Sequence, residues 1–225
     1  MWKTSIGLKL IVAVTGVLLY LFVIGHMIGN LQVYLGPNAL NTYAEKLRAL
    51  PPLLWTVRIG LLVIAVVHIT LTITLAFQNR AARPIRYVRK EAVEASVSSR
   101  TMVYSGLALL GFVVYHLLHL TWKLTNPQYA SLRDAHDRPD VYAMVVLGFQ
   151  NPVASVIYIA AMIVLGFHFT HAFSSFFQTV GWSTPRTRPT LERVALILAA
   201  IIVVGNISIP LSILLGVVHL PTGGM

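Results

Sequence analysis

The sequence contains no cysteine and few charged residues. Without cysteine, the chain cannot form disulfides, thiolate metal sites, c-type haem attachments or cysteine-ligated iron–sulfur clusters. Charged residues make up only 11% of the 225 residues, whereas apolar residues make up 56%. A soluble domain usually needs about 25% charged residues to build its polar surface. The composition therefore predicts an integral membrane protein.

Acidic residues are missing from five apolar stretches that are each long enough to cross a bilayer, which takes about 20 helical residues. All seven acids lie between these stretches or at their ends. The loops are short, and no internal repeat is expected. We predict a single all-α domain over residues 1–225, a bundle of five transmembrane helices at approximately Leu10–Leu35, Leu53–Phe77, Met102–Trp122, Val153–Phe177 and Val194–Val218.

Proline residues mark several boundaries between these elements. Pro51 and Pro52 are expected to end a short helix in the segment Asn38–Leu50 and to begin the second span. Asn126-Pro127 is expected to end the third span, and Asn151-Pro152 to begin the fourth.

The basic residues predict how the bundle is oriented. With the N-terminus inside, eleven of the 17 Lys and Arg residues lie on the inner side and six on the outer side. Because basic residues concentrate on the cytoplasmic side, we predict an inner N-terminus and an outer C-terminus, and name the two ends of the bundle accordingly. The net charge of +10 is therefore explained without a nucleic-acid partner. One inner cluster suits either anionic lipid or a docked protein: Arg80, Arg83, Arg86, Arg89 and Lys90.

Six of the eight histidines lie inside the first four predicted spans: His26, His68, His116, His119, His168 and His171. An ionisable side chain within the bilayer is costly and by default indicates a functional site. At a helical rise of 1.5 Å per residue, His26 and His116 lie about 25 and 24 Å from the inner ends of their helices. His68 and His168 both lie about 15 Å from theirs. The histidines therefore form an outer and an inner level.

Two imidazoles at one depth, on different helices, suit the two axial positions of a b-type haem. Zinc usually requires three or four ligands at one point, which two separate levels do not provide. We therefore predict two haem b groups, an outer one ligated by His26 and His116 and an inner one ligated by His68 and His168. His119 and His171 are then available for propionate or quinone hydrogen bonds, or for packing. Three further residues are candidate haem contacts: Gly29, Arg100 and Gln178.

Several short stretches resemble one known family. Thr15-Gly16-Val17 and the run from Ile24 to Gln32 (IGHMIGNLQ) resemble helix 1 of the dihaem cytochrome b subunit of succinate:quinone oxidoreductases and fumarate reductases. Ala82-Arg83-Pro84, Ser99-Arg100-Thr101-Met102 and Phe167-His168-Phe169 are similar to the same single-chain, five-helix group. The resemblance covers essentially the whole chain.

This resemblance implies the same four haem ligands and a membrane-anchor role in a succinate dehydrogenase complex of the respiratory chain. The implied partners are a flavoprotein subunit that oxidises succinate and an iron–sulfur subunit that docks on the inner face. The chain would relay electrons from these subunits to menaquinone or ubiquinone. It would lie, as a multi-pass protein, in a bacterial plasma membrane, surrounded by lipid and within a complex that could itself oligomerise.

The quinone site is predicted at the outer level, around Glu45, Arg48 and His119. Some fumarate-reducing relatives carry a glutamate near the outer haem where this chain has Arg48, and Glu45 lies about one helical turn earlier.

Two other functional classes remain open from the residues alone. One is the cytochrome b subunit of a hydrogenase or formate dehydrogenase. The other is a haem-free transporter or membrane adaptor, which would be expected to carry buried acids or broken helices around a midplane site. Pro210 interrupts the fifth span, and a packing kink explains it.

Overall fold

The computed structural model describes residues 5–81 and 97–221. Within these ranges, five helices are long and apolar enough to cross a membrane: Ile6–Leu35, Pro51–Ala81, Met102–Thr121, Pro152–Thr179 and Arg188–Leu214. They confirm the predicted all-α membrane bundle with five spans. The last span begins at Arg188 rather than Val194 and ends at Leu214 rather than Val218.

Some sequence predictions lie outside the described residues. They are the segment Ala82-Arg83-Pro84 and the remaining members of the inner basic cluster, Arg86, Arg89 and Lys90. Arg100 lies in a described helix, but its side chain is outside the described part as well.

The α-helices, numbered in chain order, are α1 Ser5–Asn30, α2 Pro37–Arg48, α3 Pro51–Ala81, α4 Val97–His116, α5 Val141–Gln150, α6 Pro152–Thr179 and α7 Arg188–Leu214. The first span continues beyond α1 as a 3-10 helix, Leu31–Leu35, and the third continues beyond α4 as a π-helical segment, Leu117–Thr121. A second 3-10 helix, Pro127–Ala130, lies between α4 and α5.

Glycine and proline set several of the helix boundaries. Gly36 separates the first span from α2 with a φ of +91°, a conformation that glycine adopts without steric penalty. Pro51 begins α3 and Pro152 begins α6, which confirms both predicted starts. Asn151 caps α6 by accepting hydrogen bonds from two backbone N–H groups of its first turn.

The prediction that Asn126-Pro127 ends the third span is wrong, because the helix ends at Thr121. There the Trp122 N–H donates to the Leu117 carbonyl at 2.7 Å, which gives the wide π-helical turn. Lys123 then adopts a φ of +58°, which turns the chain out of the helix before Asn126 is reached.

The link between the third and fourth spans contains α5, which the sequence pattern did not indicate. This helix has ten residues, too few to cross a membrane, and seven of them are buried. Asp140 caps it by accepting from the Ala143 N–H at 2.9 Å. Because α5 is buried almost all round, it has no polar face and therefore no helical alternation for the sequence to reveal.

Four of the long helices form a ring. Both α1 and α4 pack against α3 and α6, so α1 lies diagonally opposite α4, and α3 lies opposite α6. α7 packs outside this ring on α6 and also contacts α1. Gly166 allows the close approach of α6 and α7, since a Cβ atom there would lie only 2.7 Å from Val203 Cγ2.

Buried apolar residues concentrate at the outer end of the bundle. The main cluster joins α2, α5, α6 and α7 there: Val33, Leu40, Tyr129, Tyr142, Met144, Val145, Val146, Phe149, Tyr158, Ile209, Ile213 and Val218. A smaller cluster joins α1, α6 and α7 at Met27, Phe169, Ala199 and Ile202. The short helices α2 and α5 pack against each other and so close the outer end of the ring.

The chain contains an internal repeat, which corrects the expectation of none. α1–α2–α3 and α4–α5–α6 are each a long, a short and a long helix. Five residues of α1 recur 90 positions later, and six residues of α3 recur 100 positions later. The matching pairs are Gly16/Gly106, Leu19/Leu109, Phe22/Phe112, Val23/Val113, His26/His116, Pro52/Pro152, Ile59/Ile159, His68/His168, Thr70/Thr170, Phe77/Phe177 and Gln78/Gln178. Because all the spans are rich in apolar residues, composition alone does not reveal the repeat.

Asn41 joins the two short helices at the outer end. Its side chain is only 1% exposed. Its amide nitrogen donates to Asp134 Oδ2 at 3.2 Å and to Asp140 Oδ1 at 3.0 Å, and its oxygen accepts from the Tyr142 N–H at 3.0 Å. These bonds tie α2 to the first turn of α5 and to the link before it.

We expect Asn41→Leu to lower the stability of the bundle by about 1–3 kcal/mol, because the substitution leaves the buried Tyr142 N–H without its acceptor. The measurement is thermal unfolding of the purified chain in detergent. Asn38→Leu is the matched control on the same helix, since Asn38 Oδ1 accepts from Arg138 at the protein surface. Equal losses in the two variants would contradict the role assigned to Asn41.

Candidate functional site within the helix bundle

The structure brings His26 of α1 and His116 of α4 together across one diagonal of the ring. Their ring centroids are 5.7 Å apart and the rings are nearly perpendicular, at 87°. Two imidazoles that bind one metal ion from opposite sides, with metal–nitrogen bonds of about 2 Å, have centroids roughly 6 Å apart. The spacing of the outer pair therefore suits one metal ion between the two rings.

Phenylalanines one turn earlier flank both outer rings. Phe22 stacks on His26 with centroids 5.4 Å apart, and Phe112 lies 6.0 Å from His116. Phe22 and Phe112 are equivalent positions of the repeat, so the two halves of the chain build matching apolar walls beside the outer pair.

The inner histidines, on the other diagonal, each bond a hydroxyl of the neighbouring helix. His68 Nδ1 lies 3.0 Å from Thr15 Oγ1, and His168 Nδ1 lies 3.0 Å from Ser105 Oγ. Thr15 and Ser105 are equivalent positions of the repeat. The two inner rings are thus held by the same interaction, once in each half.

These hydroxyls also determine which ring nitrogen carries the proton. Thr15 Oγ1 donates to the Ile11 carbonyl at 2.8 Å, and Ser105 Oγ donates to the Met102 carbonyl at 2.9 Å. A hydroxyl has one proton, so if it stays on the carbonyl of its own helix, the oxygen accepts from the histidine and Nδ1 carries the hydrogen. In a neutral imidazole the other nitrogen, Nε2, then keeps a free lone pair that can bind a metal.

A glycine lies beside each inner ring. A Cβ atom on Gly16 would lie 3.3 Å from His68 Cε1, and one on Gly106 would lie 3.5 Å from His168 Cε1. Both rings therefore rest close to the backbone of the helix that supplies the hydroxyl.

Tyr158 of α6 links His116 to His119. Its Oη lies 3.2 Å from His116 Nδ1 and 3.1 Å from His119 Nδ1. His119 lies in the π-helical segment, is only 2% exposed and stacks on Tyr115 with centroids 5.5 Å apart. If His116 donates through Nδ1, the single hydroxyl proton goes to His119, and Nε2 of His116 stays free, as in the inner rings.

The other candidate haem contacts, Gly29, His171 and Gln178, lie in different parts of the bundle. Gly29 faces α2, where a Cβ atom would lie 2.5 Å from Tyr43 Oη, so the close approach of Tyr43 requires this glycine. His171 is half-buried on α6, one turn beyond His168, and Gln178 is exposed near the inner end of the same helix.

The three residues predicted for a quinone site lie in different surroundings. Glu45 Oε2 is 3.5 Å from Arg138 Nη1 on the outer surface. Arg48 belongs to a basic group at the same end, whereas His119 is buried beneath Tyr158 and α5. A quinone could reach His119 only after these groups moved.

Ion pairing stabilises the link before α5. Burial opposes ionisation of Asp134, but hydrogen bonds from the side chain and backbone of Arg138, the His136 N–H and Asn41 hold the pKa of Asp134 well below its usual range. Arg138 Nη2 lies 2.7 Å from Asp134 Oδ2. Because the folded-state pKa is depressed, this stabilisation is complete above a pH of about 4 and is lost as the pH falls further.

Basic side chains gather nearby. Burial lowers the pKa of Arg48, and Arg58 and Arg133 lower it further. Burial also lowers the pKa of Lys123, and Arg48 and Arg133 add to the effect. The outer end therefore carries a group of four mutually repelling cations.

The sequence analysis did not identify the hydroxyls of Thr15, Ser105 and Tyr158 as hydrogen-bond partners of the histidines. A usable signal exists for two of them. A Ser or Thr followed by Gly occurs eleven residues before the histidine in both α1 and α4. Tyr158 has no such signal, because it meets His116 only through the packing of α4 against α6.

We expect Tyr158→Phe to destabilise the bundle by about 1–3 kcal/mol, since the buried Nδ1 of His119 loses its partner. The measurement is thermal unfolding in detergent. Tyr115→Phe is the matched control, because Tyr115 stacks on the same ring and its hydroxyl has no hydrogen-bond partner among the described residues. A similar loss in both variants would show that ring packing, rather than the hydroxyl, is responsible.

Comparison with known proteins adds one finding to this geometry. The family model for the succinate dehydrogenase/fumarate reductase transmembrane subunit matches residues 76–207. No curated protein and no solved structure matches the chain. The matched segment contains His116 and His168, and their equivalents in the first half of the repeat are His26 and His68. The chain belongs to the family of transmembrane subunits of succinate dehydrogenase and fumarate reductase.

Proposed function

We propose that this chain is the membrane-anchor cytochrome b of a succinate dehydrogenase complex, which relays electrons through two haem b groups between an iron–sulfur subunit and a membrane quinone. Family membership already makes it a subunit of an oxidoreductase complex and implies association with flavoprotein and iron–sulfur subunits. The observation that carries the proposal is the arrangement of four histidines in two diagonal pairs, three of them with Nδ1 on a hydroxyl.

The residues at the outer level fit a bis-histidine haem. The outer rings have a spacing suited to one iron, and Phe22 and Phe112 supply apolar walls. Between the two levels, the buried Tyr20 Oη has no hydrogen-bond partner among the described residues, and its ring lies 4.8 Å from Phe169, next to His168. A bound macrocycle with carboxylate substituents would offer acceptors to such a hydroxyl.

Haem b, when bound, would supply reversible one-electron transfer at its iron. The residues that would hold and orient the group are His26 and His116 at the outer level and His68 and His168 at the inner level. For His68, His116 and His168, the hydroxyl on Nδ1 would leave Nε2 as the nitrogen available to the iron. The surrounding apolar side chains exclude water and provide the low-polarity surroundings that influence the potential of the iron. The iron–sulfur clusters of the complex would belong to a partner subunit, because this chain has no cysteine to ligate them. Succinate oxidation itself would belong to the flavoprotein subunit.

We infer that the partner subunits dock at the inner end. Arg80, the last basic residue of α3, is exposed there. Arg193 of α7 is exposed at the same end, whereas Arg188 is paired with Glu192 at 3.1 Å. Exposed guanidinium groups suit an acidic protein surface, and the inner histidine pair lies nearer to this end than the outer pair.

Quinone exchange is proposed at the outer end. A shallow cavity of about 270 Å³ lies on α2, next to Glu45, and is lined by Gln32, Asn38, Ala39, Thr42, Tyr43 and Lys46. This volume is near the lower limit of small-molecule sites and suits a quinone ring better than its tail. Amide, hydroxyl and ammonium groups in the wall can donate hydrogen bonds to a quinone carbonyl.

We expect Lys46→Met to lower quinone turnover at least about tenfold, since a positioned proton donor typically contributes more than this. Haem content should not change. Lys123→Met is the control, because Lys123 is a cation at the same end outside the cavity lining. Equal turnover in the two variants would exclude a role for this cavity.

The proposed haem assignment is tested by haem content per chain in four single variants of the full complex. His26→Leu and His116→Leu should each lose the outer haem and keep the inner one. His68→Leu and His168→Leu should lose the inner haem and keep the outer one. Leucine removes a polar group from the bilayer, so insertion of the bundle should survive.

Activity provides a second readout for the outer variants. Electron flow from succinate to a soluble dye should persist, whereas flow to quinone should collapse. His136→Leu, in the outer link, is the control and should keep both haems. Retention of both haems in His26→Leu would contradict the two-level arrangement. Loss of the outer haem in His119→Leu, with retention in His116→Leu, would overturn the ligand assignment. Absence of haem from the unmodified chain would favour a haem-free adaptor.

A further inference from the structure

Thr15 and Ser105 occupy equivalent positions in the two halves of the repeat, and each bonds Nδ1 of an inner histidine at 3.0 Å. We propose that they are a matched pair of positioning residues, which together set the orientation and donor strength of both axial ligands of the inner haem. This inference rests on the proposed function, because it concerns the haem assigned there to His68 and His168.

The hydroxyl protons of Thr15 and Ser105 decide the direction of both bonds. Each hydroxyl has a carbonyl acceptor within its own helix: Ile11 at 2.8 Å and Val12 at 3.1 Å for Thr15, and Met102 at 2.9 Å for Ser105. The oxygens are therefore left as acceptors, and each draws on an Nδ1–H. A histidine that donates its second ring nitrogen to an acceptor is fixed in one tautomer and becomes a more basic ligand. A more basic ligand favours the higher charge of ferric iron.

The ring positions add a second constraint. Gly16 and Gly106 follow the two hydroxyl residues, and a Cβ atom on either would lie within 3.5 Å of the adjacent ring. Each ring is thus held at its Nδ1 by the hydroxyl and at its Cε1 edge by the neighbouring backbone. These contacts fix the direction in which Nε2 points.

The outer histidines have different partners. The hydroxyls beside the inner histidines can therefore be changed without altering the contacts of the outer pair. His116 Nδ1 bonds Tyr158 Oη, which also bonds His119. His26 stacks on Phe22, and its backbone carbonyl accepts from Asn30. Removing the Thr15 or Ser105 hydroxyl should therefore change the inner haem and leave the outer haem unchanged.

The experiment uses Thr15→Val, Ser105→Ala and the double variant in the full complex. The readouts are haem content, redox titration followed by visible spectra, and the electron paramagnetic resonance signals of the ferric haems. The His26→Leu variant, which is expected to keep the inner haem alone, identifies the inner signals. Each single variant should raise the midpoint potential of the inner haem, and the double variant should raise it further. The affinity of the chain for the inner haem should fall by about 10- to 100-fold at most.

Rescue and control variants separate positioning from packing. Thr15→Ser and Ser105→Thr keep the hydroxyl and should restore the inner potential and signals. Thr74→Val is the matched control, because Thr74 Oγ1 donates to the Thr70 carbonyl of its own helix at 2.8 Å, and it should leave both haems unchanged.

The outcomes distinguish this inference from the proposed function. An inner potential and signals that do not change in the double variant would overturn the inference, as would loss of the inner haem that Thr15→Ser and Ser105→Thr fail to restore. A shift of the outer haem as large as that of the inner one would also overturn it. An unmodified complex with fewer than two haems per chain would instead overturn the proposed function.

Discussion

A histidine ring inside an apolar bundle must find a hydrogen-bond partner, because no water is available there and an unsatisfied polar group is costly. In this chain the partner of Nδ1 is a hydroxyl in three of the four paired histidines: Thr15, Ser105 and Tyr158. Since the Thr15 and Ser105 hydroxyls donate to their own helices, they accept from the ring and leave Nε2 free. This interaction satisfies the hydrogen-bonding requirement of Nδ1 within the membrane and leaves Nε2 available.

The internal repeat explains why the histidines of the bundle occur in pairs. Each half contributes a long, a short and a long helix, and the ring order puts equivalent helices on the diagonals. His26 and His116, which are equivalent positions, meet across one diagonal with ring centroids 5.7 Å apart. The short helices α2 and α5 meet at the outer end, where Asn41 joins them. The repeat also relates the first half to the second, which supplies most of the segment matched by the family model.

The two ends of the bundle differ in their packing and in the charged side chains that they expose. The outer end holds the main apolar cluster, the Asp134–Arg138 ion pair and a shallow polar cavity. Among the described residues the inner end has no comparable cover of short helices, and its exposed arginines are available to a partner subunit.

The sequence alone determined the features that depend on composition and on spacing along one helix. The five spans follow from apolar length, and the two histidine levels follow from helical rise, because both are local properties. The sequence did not indicate α5, since a helix buried on all sides has no alternating pattern. Tertiary structure alone decided that Tyr158 joins His116 to His119, that Gly29 accommodates Tyr43, and that Thr15 and Ser105 meet His68 and His168. Each of these contacts joins residues that are distant in the chain, and only the packing of one helix against another brings them together.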